Sequence, residues 1–325
     1  MLRFILRRTL WAIPVLLAGS FIMFAALHLT TDPVGAAIHH NVSPDALVKF
    51  KHDLGLDKSL LAQYWVFLSK FVRGDFGTSY TSQTAVWPPL RTALVNSLVL
   101  GAFAAIFYIT VGVTIGVVSA VKQYSWFDHA STGLSFFGLA MPPFFFGLVT
   151  IVLVGTFYET HFHSSTPLLP FIGGIYSPST SGFDVMDRIK HLILPALTLS
   201  VQEIAVYSRY MRTGMLETLN SDYLRTARAK GISEWRVTMR HAFRNALIPL
   251  TTFAGIDIGA VAGGLIITES IFGYPGMGLY FLENFHNADY PALLPWMMIV
   301  IAFVVVFNLL ADLSYAWLDP RIRVD

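Results

Sequence analysis

The chain has 325 residues, of which 54% are hydrophobic and 13% charged, with a mean hydropathy of +0.59 and a formal net charge of +2. That balance marks a polytopic membrane protein rather than soluble domains, and so small a net charge makes no case for nucleic acid. The absence of cysteine excludes disulfides, thiolate catalysis and Cys-based metal sites.

Arg3, Arg7 and Arg8 precede an apolar run over residues 9–29. The run is too long for the hydrophobic region of a signal peptide and no cleavage site follows, so the sequence predicts a retained first helix with a cytosolic N-terminus. Further spans are predicted at about 95–121, 130–158, 191–211, 246–268 and 291–311, each of a length to cross a hydrocarbon core of ~30 Å. Six crossings make residues 1–325 one transmembrane domain with both termini in the cytosol. The basic residues agree with this orientation. Fourteen fall on predicted cytoplasmic segments and eight outside, six of the eight in one long loop where charge biases insertion weakly.

That external loop, residues 31–94, carries a helical period in Leu60, Leu61, Tyr64, Trp65, Leu68, Phe71 and Val72, bounded by Ser59 and Gly74. It reads first as an amphipathic helix on the membrane interface, and also as a platform for a partner on the outer side. His39, His40, His161 and His163 share the outer side, but without a carboxylate or thiolate at ligand spacing they point to no metal site. The Asn41-Val-Ser43 tripeptide is discounted as a glycosylation acceptor.

Two features of the spans bear on mechanism. Gly255, Gly259 and Gly263 recur at every fourth position of the fifth span, a pattern that lets another helix approach closely. Asp257 points away from that row, and Glu203 is the other carboxylate well inside an apolar run. Intramembrane carboxylates are costly and face protein or water; hydrogen bonding to a neighbouring helix and a place on a water-filled cavity both fit. Pro142-Pro143 and Pro195 predict bends.

The most basic stretch is the loop over residues 212–245, where Arg225, Arg228, Lys230, Arg236, Arg240 and Arg244 stand against Asp222 and Glu234. Locally it reads as two short helices. Ser221 or Asp222 caps the first and Gly231 ends it in a left-handed turn; Ser233 caps a second carrying Trp235, Met239 and Phe243. No Gly-x4-Gly-Lys-Ser/Thr loop, His-Glu-x-x-His or Gly-x-Ser-x-Gly motif occurs anywhere, so nothing assembles an enzyme active site or an ATP cradle.

Arg225-Thr-Ala-Arg-Ala-Lys-Gly231 followed by Arg244-Asn-Ala-Leu-Ile-Pro249 resembles the cytoplasmic loop of ABC-importer permeases, in the version of oligopeptide and dipeptide (peptide/nickel) permease subunits. The general pattern is Glu-Ala-Ala, three residues, Gly, nine residues and Ile-x-Leu-Pro. Here Ala227 and Gly231 match it, Arg225 and Thr226 replace the Glu and first Ala, and Phe243 and Arg244 fill the Leu-Pro slot. Leu54–Lys58, Arg73–Gly77 and Leu318–Arg321 extend the resemblance over nearly the whole chain.

The resemblance implies an all-α, type I importer permease in a bacterial cell membrane. Its partners would be a second homologous permease, two cytosolic ATPase domains, an extracytoplasmic substrate-binding protein, peptide cargo and membrane lipid. The chain itself would hold no cofactor, with ATP and Mg on the partner ATPases. Asp222, Tyr223, Leu224, Arg225, Thr226, Ala227, Arg228 and Gly231 would form the ATPase-coupling element, and Asp257 and Glu203 would border the pathway. The alternatives are a secondary transporter using Asp257 or Glu203 as proton carrier, a structural scaffold, or the same architecture importing nickel or another small cargo.

Overall fold

The computed structural model describes residues 2–30, 58–156, 160–161, 169–170, 172–176, 184–261 and 265–318. The Asn41 tripeptide, His39, His40, His163, Gly263 and the residues flanking Lys58 and Leu318 in the quoted phrases lie outside them.

Among the described residues the chain is helical apart from turns and one isolated β-bridge between Thr78 and Ala85. In order the helices are α1 (Leu2–Thr30), α2 (Leu60–Val72), α3 (Trp87–Val121), α4 (Trp126–Ala140), α5 (Pro143–Ile151), α6 (Val185–Leu219), α7 (Asp222–Ala229), α8 (Glu234–Arg236), α9 (Phe243–Val261), α10 (Ile266–Phe272), α11 (Met277–His286) and α12 (Tyr290–Leu318). Four helices, α1, α3, α6 and α12, contain stretches long and apolar enough to cross a membrane. α4 and the helix that continues α5 to Gly155 are together apolar and long enough for a fifth, but they are bent by 97°, as in a broken span or a re-entrant loop. The bend falls at Met141-Pro142, where two consecutive prolines deny the helix its next N–H donors. Pro195, by contrast, lies inside α6, which runs on to Leu219.

The fifth predicted span does not reach residue 268 as one helix. As described, α9 ends at Val261, and the separate short helix α10 begins at Ile266. The reason lies in Glu269. Its carboxylate accepts from the Leu265 N–H (3.2 Å) and sits fully buried, a placement that serves the next turn of chain rather than a continued span.

α3 and α6 approach each other closely. A Cβ on Gly112 would lie 2.8 Å from Tyr207 Cβ, and one on Gly116 would lie 2.6 Å from both Met211 Cβ and the Ser208 carbonyl oxygen. Two glycines four apart thus let backbone meet backbone. Gly214 makes a similar approach of α6 to Ala246 of α9, 3.2 Å from its carbonyl. In the predicted glycine row, Gly255 is half-buried in α9 and Gly259 belongs to the same helix.

Two apolar clusters result. One gathers Leu100, Tyr108, Tyr207, Met211, Met215, Leu224 and Leu250 from α3, α6, α7 and α9. The other joins Phe24, Tyr64, Leu90, Met277, Leu294 and Trp296 from α1, α2, α3, α11 and α12. α2 docks through Tyr64, whose hydroxyl lies 2.6 Å from Ser20 Oγ midway along α1 and donates to the Leu17 carbonyl (3.2 Å). Leu61, Trp65 and Val72 stay exposed on its other side. The predicted amphipathic helix is therefore present and seated against the side of a long apolar helix.

Candidate coupling loop and intramembrane site

The basic loop begins later than its charge pattern implies, because α6 continues through Leu219. Ser221 holds the N-cap position of α7 in extended backbone, yet its hydroxyl donates back to the Thr218 carbonyl (2.5 Å) and makes no cap bond. The hydroxyl has been taken by an orphan carbonyl at the end of α6. Asp222 opens the helix and lies a loose 3.6 Å from Arg225.

α7 ends as expected. Gly231 has φ +75°, the Gly231 N–H donates to the Arg228 carbonyl (2.9 Å) and the Ile232 N–H to the Ala227 carbonyl (3.3 Å). That pair of bonds around a left-handed glycine is a Schellman closure. Arg228 Nε donates to Glu234 Oε1 (2.9 Å) across the turn. The predicted second helix is not free-standing. α8 runs through a π-helical turn, Val237–Ala242, straight into α9, and Ser233 makes no side-chain cap bond. Widening the helix by one residue per turn turns both Val237 and Ala242 fully into the core. Trp235 is left exposed, with Met239 and Phe243 half-buried.

The two faces of α7 are now distinct. Leu224 is completely buried and Ala227 nearly so, three residues apart on one side. Burying a leucine is worth roughly 1.5–3 kcal/mol, which anchors a helix of eight residues too short to persist alone. Tyr223, Arg225, Thr226, Arg228 and Lys230 face solvent, and the Tyr223 hydroxyl accepts from Asn245 Nδ2 (2.7 Å) at the foot of α9.

Within the bundle, Asp257 Oδ2 accepts from the Tyr108 hydroxyl at 2.5 Å and the Tyr207 hydroxyl at 3.1 Å. The carboxylate of α9 thereby joins α3 and α6 at the level where Gly112 meets Tyr207. Both bonds end on one oxygen, and Asp257 remains half-buried. Glu203 lies one turn before Tyr207 on α6, also half-buried and within electrostatic range of Asp257.

Several polar anchors escaped the sequence reading. Asp128, at the start of α4, accepts two bonds from Arg212 of α6 (Nε 2.7 Å, Nη2 2.8 Å) and further ones from Ser119 Oγ (2.5 Å) and the Tyr124 N–H (2.9 Å). At the opposite end of the bundle, Glu269 accepts from Ser97 Oγ (2.6 Å) and from the N–H groups of Gly278 (2.6 Å) and Leu279 (3.1 Å). Ser97 Oγ in turn accepts from the Met277 N–H (2.7 Å). Serine and glutamate together satisfy the first three donors of α11. Asp289 is likewise fully buried, accepting from Ser79 Oγ (2.5 Å) and the N–H groups of Tyr80 (3.2 Å) and Thr81 (3.1 Å). Tyr274 donates to the Asn96 carbonyl (3.2 Å), and burial pushes its hydroxyl up to about 12. The available sequence cue was a carboxylate in an apolar run just ahead of Gly273-Tyr-Pro-Gly-Met-Gly278.

The family model described as "Binding-protein-dependent transport system inner membrane component" matches residues 112–324, and an N-terminal companion model of such membrane components matches residues 1–114. The chain belongs to this family. It is 36% identical over 338 residues to the dipeptide transport system permease protein DppB of Escherichia coli K12, covering 99% of each chain. It is 38% identical over 328 residues to the oligopeptide transport system permease protein AppB of Bacillus subtilis 168, covering 99% of this chain and all of that one. Among solved structures, an inward-facing MetNI methionine ABC transporter matches with TM-score 0.51 and 14% identity, over 71% of this chain and 96% of the other. That likeness carries the fold. The chain is thus a multi-pass inner-membrane permease of the binding-protein-dependent class, with the type I importer architecture.

Proposed function

We propose that this permease forms half of the pathway of an ATP-driven peptide importer. The observation that carries the reading is the end-to-end match to dipeptide and oligopeptide permeases. The partners would be a second permease, two cytosolic ATPase domains holding ATP and Mg, and an extracytoplasmic binding protein. α9 supplies the sixth crossing, and the Arg-rich end of the bundle is the cytoplasmic one.

The coupling element is α7 with its Gly231 turn. Leu224 and Ala227 fix it to the bundle while Tyr223, Arg225, Thr226 and Arg228 offer a polar face to the ATPase. Movement of the ATPase then reaches α6 and α9 directly, since α7 is clamped between them by Leu224 and the Tyr223–Asn245 bond. Asp257 and Glu203 border the pathway. Two tyrosines occupy Asp257 Oδ2, so the second oxygen is the one that meets a peptide ammonium in passing. Gly255, Gly259 and Gly263 remain the proposed contact row of the fifth span.

Reconstitution with the partner subunits tests the assignment. ATP-dependent accumulation of short peptides is the expected result. Nickel uptake without peptide uptake, or uptake driven by a proton gradient in the absence of ATP, overturns it. Asp257→Asn is expected to slow free peptides relative to N-acetylated ones while assembly persists. Equal slowing of both cargos returns Asp257 to a purely structural role with Tyr108 and Tyr207.

A further inference from the structure

At the end of the bundle opposite the basic loop, the first turns of α3 and α6 border a cavity of about 420 Å³. Its lining includes Trp87, Arg91, Val95, Asn96, Ile175 and Arg188. Two arginines in one concavity call for an anion, and among the described residues neither has a carboxylate partner. Arg188 is half-buried and meets uncharged groups: Nη2 donates to Asn96 Oδ1 (3.3 Å) and Nη1 to the Tyr176 hydroxyl (3.5 Å), both long, while the Tyr274 hydroxyl lies nearby and the Tyr176 ring centroid is 5.9 Å from Cζ. Its Nε is buried without any hydrogen-bond partner. Arg91 is exposed and forms no ion pair among the described residues. A guanidinium with a buried, unbonded Nε is costly there unless a ligand completes it.

The geometry suits one chemistry. A guanidinium presents a planar fork that matches a carboxylate through two parallel bonds. Beside the fork, Trp87, Val95 and Ile175 supply apolar wall for a side chain attached near that carboxylate. The volume falls in the range of small-molecule pockets, roughly 300–1,000 Å³, and is too small for a folded partner. Asn96 also ties the cavity wall to the turn before α11, donating from Nδ2 to the Pro275 carbonyl (2.9 Å). A ligand drawn onto Arg188 therefore bears on the segment that Ser97 and Glu269 hold in place.

We propose that this cavity receives the C-terminal carboxylate of the incoming peptide, with Arg188 as the receiving fork and Arg91 as the attracting charge at the rim. The proposal rests on the peptide-import reading above. It adds a recognition step within the permease, before the cargo reaches Asp257.

The test uses the complete transporter, with its partner permease, ATPases and binding protein, in phosphatidylcholine vesicles. Uptake of di-, tri- and tetra-alanine is compared with that of the same peptides as C-terminal amides, and the same binding protein in every arm cancels its own preference. Arg188→Gln is expected to lower the acid-to-amide uptake ratio by about fivefold or more, as the loss of a charge-assisted pair implies. Arg188→Lys should fall between, keeping charge but losing the fork. Arg91→Gln, at an exposed position that leaves folding intact, should lower the ratio about twofold through weaker attraction. An unchanged ratio in both Gln variants sinks the inference. Equal slowing of acid and amide that responds to added phosphatidylglycerol assigns the arginines to lipid phosphate. Equal slowing relieved by more binding protein assigns them to its docking, and either result overturns the proposal. Should the unaltered transporter import neither acid nor amide, the peptide reading itself falls and takes this inference with it.

Discussion

The two ends of the bundle use carboxylates differently. At the far end, Glu269 and Asp289 are completely buried and spend their oxygens on backbone N–H groups and serine hydroxyls. At the basic end, Asp128 is buried but binds a guanidinium, and Arg212 keeps 28% of its side chain in solvent. The Arg228–Glu234 and Arg225–Asp222 pairs beyond it are more exposed still. Bonds to backbone fix the path of the chain, and at the basic end Asp128 takes only one, from Tyr124; its salt bridge to the partly exposed Arg212 is screened by water and salt. The far end is built to hold a shape around the α10–α11 turn. The basic end is built to keep charge available for a partner while two apolar anchors keep α7 in register.

The sharpest way to break that contrast is Glu269→Ala. It strands the N–H groups of Leu265, Gly278 and Leu279 and the Ser97 hydroxyl in a site with no solvent. Removing one side of such a buried network costs about 3–5 kcal/mol, so folded protein should largely vanish from detergent extracts on size-exclusion chromatography. Glu269→Gln keeps one acceptor oxygen and should recover part of the yield. A normal yield from the alanine variant means the far end is held by something else.

A second break, in the packing, is Gly116→Leu. The added side chain would start 2.6 Å from the Ser208 carbonyl oxygen, and neither backbone can yield without parting α3 from α6. Overpacking of this kind costs about 1–3 kcal/mol, visible as a lowered melting temperature. Gly133→Leu on α4, where nothing lies within 4 Å, should leave melting unchanged.

Asp128→Asn probes the basic end. It removes a carboxylate that takes two bonds from Arg212 and should cost about 1.5–3 kcal/mol as for hydrogen bonds to charged groups. The loss should stay below that of Glu269→Ala, because Arg212 is partly exposed and water re-solvates it. An Asp128→Asn loss equal to or greater than the Glu269→Ala loss would erase the distinction between the two ends.

What the sequence made legible follows from range. The long apolar helices, the break at Pro142, the period of α2 and the left-handed turn at Gly231 all depend on residues within a few positions of each other, and periodicity or turn chemistry reports them. The anchors do not. Ser97 and Glu269 are 172 residues apart, Asp128 and Arg212 84, Tyr108 and Asp257 149, and no local pattern announces such a meeting. Glycine spacing shows the same limit. Gly112 and Gly116 repeat at four as plainly as Gly255 and Gly259, and only the packing shows where α6 enters. The merging of α8 into α9 was hidden because Ser233 resembles a cap, while a π-helical turn has no composition of its own.

The smallest expected effect on stability isolates conformation from contact. Gly231 sits at φ +75° with open space around the position a Cβ would take, so a substitution there meets no neighbour and is penalised by its backbone alone. A left-handed conformation costs an ordinary L-residue about 1–2 kcal/mol, less for Asn and more for a β-branched side chain. The exposed turn can relax locally instead of holding the full strain, so melting of the permease should fall by no more than that amount, least for Gly231→Asn, then Gly231→Ala, and most for Gly231→Val. Relieving the strain means rotating φ away from the left-handed region, and that breaks the bonds from Gly231 N–H and Ile232 N–H that close α7. The helix then fans about its Leu224 anchor and, on the coupling role proposed for it, carries its polar face out of register with the ATPase. ATP-driven uptake should fall in the order of the strain, slightly for Asn, severalfold for Ala and most for Val, by more than the small loss of melting temperature accounts for. Full uptake by Gly231→Val would detach the turn from coupling and leave α7 with its apolar anchors as the whole of the device.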